Sequence, residues 1–421
     1  MIRIAPSPLS RRRLVSGSLA AACAALAVTT RSHAASPPGD IRLLHATTTG
    51  YDGMLPGPPL QVRRGEELSI RLVNELPEPT AVHWHGVRTA NAMDGAPPLT
   101  QSPIAPGESF DYRFIAPDAG TFWYHPPNGI HESGRARRDL CGALIVTESE
   151  PVDVDHDLTL VFATPSVPGE AANSPPRTDA PVTVNGTMNL DIHARANERL
   201  RLCLINATDG RILGVRVAGL RSFVMATDGE PAEPFAAREG RLLLGPGNRI
   251  DVFIDCTLAP GNTAPIYIDG NSADAEIARI ICDASTATRA APRDDPQALP
   301  PNPLPDRMDF LVAFRFNAAV GRTASRETGH KSGLLFAVKR ARTVVLGLSN
   351  STSENQYIHL HGHHFRLLDA RDDGWKPFWL DTLPIAPGSN PRIAFVADNI
   401  GTWMIEGLIS DSGASAWFAV T

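Results

Sequence analysis

The sequence predicts an all-β protein built as three sandwich domains, and two repeated patterns carry that expectation. RRGEELSIRLVN ends at Asn74, ARANERLRLCLIN at Asn206 and KRARTVVLGLSN at Asn350. Downstream of each comes a second pattern: IAPGESFDYRF over 104–114, LGPGNRIDVFI over 244–254 and IAPGSNPRIAF over 385–395. In the first pattern apolar residues alternate, as Leu68, Ile70, Leu72, then Leu200, Leu202, Leu204, then Val344, Leu346, Leu348. Period two means a strand with one face in a core. The second pattern is a Pro-Gly turn feeding another alternating strand. Self-similarity at these intervals marks three β units of similar build, and no long amphipathic helix interrupts them.

Proline-rich joints divide the units. Residues 165–181, PSVPGEAANSPPRTDAP, read as a loop early in the second, and 283–306, DASTATRAAPRDDPQALPPNPLPD, as an extended linker into the third. The expected domains are 35–150, 151–290 and 291–421, the last preceded by that linker.

Residues 1–34 read as an export signal. Arg11, Arg12 and Arg13 precede an apolar run from Leu14 to Val28, and Ser32-His33-Ala34 supplies a small-x-Ala cleavage pattern. Paired arginines ahead of a modest apolar stretch suggest the twin-arginine route and a periplasmic destination. The run is too short to span a bilayer, which takes about 20 apolar residues, so no transmembrane segment is expected in the mature chain. A competing reading makes Cys23 a lipidated cysteine, but Leu19 stands one position too far upstream for that pattern.

A net charge of −6, a pI near 6.1 and no long basic block argue against nucleic acid as a partner. Cys141, Cys203, Cys256 and Cys282 remain after the signal. An oxidising compartment permits disulfides among them, and three connectivities are open if all four pair.

The first and third units share chemistry as well as strands. His83-Trp84-His85-Gly86 begins nine residues after Asn74, and His359-Leu360-His361-Gly362 nine after Asn350. On a strand, residues i and i+2 point the same way, so each motif aims two imidazoles in one direction. Imidazole suits copper, zinc and iron. A further strand follows each later anchor: GTFWYHPP places His125 and Pro127 five and seven residues after Gly120, while GTWMIEGL places Glu406 and Leu408 five and seven after Gly401. The candidate metal ligands are therefore His83, His85, His125, His359, His361 and Glu406.

With HWHG, NAMDG over 91–95, GTFWYH, HLHGH and FVADNIGTW over 395–403, the whole mature chain resembles the three-domain multicopper oxidases, laccase-like proteins of cupredoxin-like Greek-key sandwiches. The resemblance implies a three-copper cluster between the first and third domains, fed with electrons by a blue copper in the third. It places His83 and His359 on the type 2 copper. His85 and His125 match two ligands of one type 3 copper, whose third would stand at Leu408, and His361 matches one ligand of the other, whose companions would stand at Pro127 and Glu406. Of these three replacements only the Glu406 carboxylate can bind metal, and an imidazole–carboxylate mixture would also suit iron.

The resemblance also implies a blue-copper cysteine at Gly407, histidines at Gln356 and Ser412 and an axial ligand at Gly413. A soft thiolate with two imidazoles is what that site needs, and no cysteine follows Cys282. Cys141, in the apolar run DLCGALIV, reads as a structural thiol.

Two expectations of function follow. One is a periplasmic binding or scaffold protein with a degenerate copper site, unable to perform laccase turnover, its partner an unidentified periplasmic protein or small molecule. The family has a precedent in an exported cell-division protein lacking the copper ligands. The other is a copper-dependent oxidoreductase using the residual type 2 site. Copper is the expected cofactor, at fewer than the four ions of the family.

Among further residues, His363 or His364 is expected to be packed or to support a metal ligand from behind, and His131 either to replace the imidazole missing at Pro127 or to sit on an exposed loop. Asp94 is expected to order a loop near the cluster and Asp381 to be structural, with Arg135, Arg137 and Arg138 as a solvated basic patch.

Overall fold

The structure, a computed structural model, describes residues 41–131, 139–166, 180–269, 274–305, 307–320, 333–372, 374–408 and 416–421. The export signal, the basic patch at Arg135, Arg137 and Arg138, most of the loop 165–181, and Ser412 and Gly413 lie outside the described residues.

The chain folds into three cupredoxin-like sandwiches, each of two facing sheets. In the first, Arg42–Thr47, Glu67–Asn74 and Ser109–Ile115 belong to one sheet, while Gly57–Arg63, Gly142–Thr147, Gly120–His125 and His83–His85 form the other. The second has a six-stranded sheet containing Arg199–Asn206 and Arg249–Asp255 against a five-stranded one. The third sets Phe314–Val320, Arg342–Asn350, Arg392–Ala397 and Arg366–Leu368 against a sheet that carries Gln356–Leu360, Gly401–Gly407 and Thr382–Ile385.

The repeated strands do what their alternation predicts. Leu68, Ile70 and Leu72 enter the first core, Leu200, Leu202 and Leu204 the second, and Val344, Leu346 and Leu348 the third. Each pairs antiparallel with the strand after its Pro-Gly turn. The middle copy departs in one respect: Arg199–Asn206 is buried on both faces. Its second face carries Arg199, Arg201, Cys203 and Ile205 and is covered as well: Arg201 pairs with Asp251 at 2.6 Å and with Glu148 at 2.8 Å, and Ile205 packs with Trp123 and Cys141.

Hydrogen bonding explains why each copy ends in asparagine. The Asn74 amide donates to Glu78 O at 2.9 Å and Ile104 O at 2.8 Å, while its Oδ1 accepts from Leu76 N at 2.9 Å. Asn206 makes the same three bonds to Arg211 O, Leu244 O and Thr208 N, and Asn350 to Glu354 O, Ile385 O and Thr352 N. Gly107, Gly247 and Gly388, all at positive φ, then donate their N–H to the asparagine carbonyl at 2.8 Å. One side chain thus joins the end of one strand to the turn that starts the next, and only an amide offers both donors and acceptor.

The segment 283–305 contains no strand, yet it is not a free tether. Arg289 forks onto Asp155 at 2.7 and 2.8 Å, Arg199 donates to Asp294 O at 2.6 Å, and Leu299 packs with Met225 and Phe253.

The four cysteines are free and buried, and Cys141 packs with Trp123, Ala143 and Val161. Among the described residues no helix is long and apolar enough to cross a membrane.

Candidate metal centre

Sheet register brings the candidate ligands together. In the first sandwich His83 lies opposite His125 and His85 opposite Trp123. In the third, His359 lies opposite Glu406, so Glu406 takes the place that His125 holds in the first. The two strand pairs face each other, and all six side chains are buried. His361 stacks on His83 with ring centroids 3.8 Å apart, and His359 on His85 at 3.7 Å. Trp123 stacks on His125 at 4.0 Å and covers its outer face.

The partners of each ring determine its tautomer. A peptide carbonyl only accepts, so His83 Nδ1 donates to Asp94 O at 2.8 Å, His359 Nδ1 to Asp381 O at 3.1 Å and His125 Nδ1 to Pro126 O at 2.8 Å. A neutral ring held this way presents a lone pair at Nε2. Nε2 of His83 and Nε2 of His359 stand 3.1 Å apart. The Thr382 hydroxyl donates to Asp381 Oδ1 at 2.8 Å and accepts from His85 Nε2 at 2.8 Å, which leaves the His85 lone pair on Nδ1. That lone pair faces His125 Nε2 at 3.1 Å.

Burial favours the neutral form of His125, His359 and His85. It pushes His125 down to about 3 and His359 to about 4, the latter against the pull of Asp381, and drives His85 well below the ordinary range. Two facing lone pairs repel unless a cation lies between them. The cluster is therefore complementary to cations at two points, and each separation lets both nitrogens reach one ion through metal–nitrogen bonds of about 2.0–2.1 Å.

His361 behaves differently. Burial alone would lower it, but Nδ1 meets Asp94 Oδ2 at 2.9 Å and Nε2 meets Glu406 Oε2 at 3.2 Å, and the two carboxylates hold it up at about 10. Burial would raise both acids, yet the His361 imidazolium keeps them below the usual carboxylate range. Glu406 also accepts from Asn128 N at 2.5 Å. Asp94, His361 and Glu406 thus form an acid–base–acid chain alongside the two imidazole pairs. His83, His359 and His361 also bring one ligand atom each within 4.8 Å of one another.

Sequence comparison accords with this geometry. Multicopper oxidase family models match residues 37–151 and 300–420. The crystal structure of a multi-copper oxidase from Pseudomonas thermotolerans superposes with a TM-score of 0.76 at 30% identity, over 91% of this chain and 99% of that one. The chain belongs to the multicopper oxidase family. Lac15 from a marine microbial metagenome is 32% identical with a TM-score of 0.74, over 90% of this chain and 98% of its own. Multicopper oxidase MmcO of Mycobacterium tuberculosis is 27% identical over 85% of this chain and 80% of its own.

The structure also describes several of the positions to which the resemblance assigned further copper ligands. Leu408 and the edge of the His85 ring both border Gly247, so Leu408 presents hydrocarbon beside that imidazole. Pro127 is buried, and Gly407 ends its strand. The Gln356 amide donates to Thr352 Oγ1 at 3.3 Å. His131 fills neither expected role, because its side chain is buried against Thr80 at 3.1 Å and Glu78 at 3.4 Å. His363 is packed among Phe395, Trp403 and Phe418. Asp94 does more than order a loop, since it bonds two of the imidazoles directly.

Sequence reasoning missed Arg249, Asp228 and Thr382. Asp228 accepts from the N–H groups of Arg249, Asp381 and Thr382, at 3.0, 3.3 and 3.2 Å, and so fixes the start of Thr382–Ile385. The available signal was an arginine opening the strand Arg249–Asp255 directly after its Pro-Gly turn. Gly86, at φ 87°, is required here, because a Cβ would run into the Arg249 guanidinium.

Proposed function

We propose that this chain is an exported, copper-holding multicopper oxidase family protein that lacks the blue-copper route of electron entry and serves in the periplasm as a binding or scaffold protein. One observation carries the copper part of this reading: two pairs of imidazole nitrogens facing at 3.1 Å, with their other nitrogens already committed. The part concerning electron entry rests on Gly407 and Gln356, with Ser412 and Gly413, at the positions where the family supplies a thiolate, two imidazoles and an axial ligand. Export is supported by Arg11-Arg12-Arg13 ahead of the apolar run.

His83 with His359, and His85 with His125, would hold the copper. Bound copper would supply one-electron chemistry and a Lewis-acidic centre. The remaining residues act by orientation: Asp94 and Asp381 fix the tautomers of His83 and His359, and Trp123 shields His125.

A second reading, a copper-dependent oxidoreductase on the His83–His359 pair, is favoured by the Asp94–His361–Glu406 chain, which holds a proton beside that pair.

The test is metal content and electron paramagnetic resonance of the mature chain, copper-loaded and freed of loosely held ions. Retained copper below four per chain, with a type 2 signal abolished in His83→Ala/His359→Ala and no intense blue band, is the expected result. An intact fold that keeps no metal overturns the copper assignment, and a blue band overturns the loss of electron entry. Dioxygen consumption dependent on His83 and His359 decides for the second reading.

A further inference from the structure

Asp118, Glu230 and His364 come from three different sandwiches and meet in one buried place. Asp118 precedes Gly120–His125, Glu230 opens Glu230–Ala236, and His364 follows the HLHGH motif. The first two elements approach closely at Gly120, where a Cβ would strike the carbonyl oxygen of Gly229. One ligand atom from each of the three residues lies within 4.8 Å of the others, and all three side chains are at most 2% exposed.

The hydrogen bonds leave this group unbalanced. Glu230 Oε2 accepts from Asn302 at 3.0 Å, but Oε1 has no hydrogen-bond partner. Neither nitrogen of His364 has one either. His364 Nε2 is aimed between Glu230 Oε1 at 3.5 Å and Asp381 Oδ2 at 3.6 Å, too long for hydrogen bonds. Charge is unbalanced too. Arg88 forks onto Asp118 at 2.7 Å and reaches Asp398 at 3.0 Å, while Arg249 is taken by Asp381. Among the described residues, no arginine or lysine bonds Glu230. Burial, and then the neighbouring Asp118, push the Glu230 carboxyl well above its ordinary range, as befits a buried acid with no cation bonded to it. The adjoining imidazole without a partner is likewise costly unless a cation completes the group.

We infer that Asp118, Glu230 and His364 bind a divalent transition cation of the zinc class, at a site separate from the imidazole pairs and clamping the three sandwiches together. One imidazole nitrogen and two carboxylate oxygens are a donor set that zinc accepts. Arg88 does not compete for the ion: it neutralises Asp118 and Asp398 and leaves the charge of Glu230 for the cation. Asp381 borders both sites, since it also stands 3.4 Å from His85 and 3.3 Å from His359. The inference does not depend on copper at the imidazole pairs.

The test uses the full mature chain, stripped with chelator and titrated with zinc, in the wild type, His364→Ala and Glu230→Gln. Elemental analysis is expected to give one zinc more per chain in the wild type, with affinity at least tenfold weaker in either variant and a zinc-induced rise in Tm confined to the wild type. Glu230→Gln is nearly isosteric, and its near-ultraviolet circular dichroism certifies the fold independently of either metal. Equal zinc content and equal Tm response in the wild type and a folded Glu230→Gln overturn the site, and leave a protonated Glu230 as the occupant. Loss of copper with zinc retained in the wild type would instead count against the proposed function alone.

Discussion

Arg249 and Asp381, 132 residues apart in the sequence, are joined side by side in the interior, Nη1 to Oδ1 at 2.8 Å and Nη2 to Oδ2 at 2.5 Å. The same guanidinium donates to Thr121 O, Gly247 O and Asp228 O, so all five of its N–H groups are used and all three sandwiches are tied to it. Asp381 in turn accepts from Thr382, whose hydroxyl orients His85. Replacing Arg249 with alanine leaves Asp381 an unpaired buried charge, which is expected to cost about 3–5 kcal/mol in denaturant unfolding. Arg249→Lys is expected to recover little of it, because an ammonium lacks the planar fork. A loss below about 1 kcal/mol would remove Arg249 from its central place.

The repeats made the fold legible, because strand alternation and Pro-Gly turns are local and each copy corroborates the others. Four imidazoles were legible because HxHG recurs at one offset from the repeated asparagine, and His125 and Glu406 because each stands five residues after a matching glycine. Residues that act across sandwiches left almost no local mark. Arg249, Asp228, Glu230 and Asp118 each lie in sequence contexts that a single strand or turn would explain, and only tertiary contact gives them a role. His131 misled because closeness in sequence to His125 says nothing about where its loop turns; the ring goes to Glu78 and Thr80.

His361 gives the metal-free chain a pH dependence with a definite sign. Its folded value of about 10, held there by Asp94 and Glu406 against burial, lies above the unfolded value of about 6.5. The stabilisation is fully present below about 6.5 and is lost as pH rises through about 10. Urea unfolding of metal-free protein across that range is expected to show declining stability, and His361→Gln to flatten the slope. An equal slope in both proteins would show that the decline comes from other groups.

Asp155 predicts a change at the acid end. Hydrogen bonds from Arg289, then from the Arg199 backbone N–H and from Arg293, hold its carboxyl below the usual carboxylate range, despite some burial. Stability from a depressed carboxylate is present above its unfolded value of about 3.9 and is lost as pH falls through the folded one. The 283–305 segment should then detach from the second sandwich and become open to an acid protease, with cleavage mapped by mass spectrometry. Asp155→Asn should expose the same sites at neutral pH. If its cleavage pattern at neutral pH matches the wild type, the arginine forks are not what secures the segment.

Asn350 tests whether the repeated asparagine staples the site as well as the fold. Its amide donates to Ile385 O, at the end of the strand that begins with Thr382, the partner of His85. Asn350→Asp keeps the acceptor for Thr352 N but removes both donors, leaving Glu354 O and Ile385 O facing a buried carboxylate. Each buried group left unpaired costs about 1–3 kcal/mol, so the variant should lose at least as much stability as Asn350→Ala. Because Thr382–Ile385 also pairs with Gln356–Leu360, which carries His359, the loss should reach the metal centre. Copper affinity, measured by competition with a chelator, should therefore fall in Asn350→Asp relative to the wild type. Copper affinity unchanged from the wild type in a folded Asn350→Asp would show that the staple serves the fold alone.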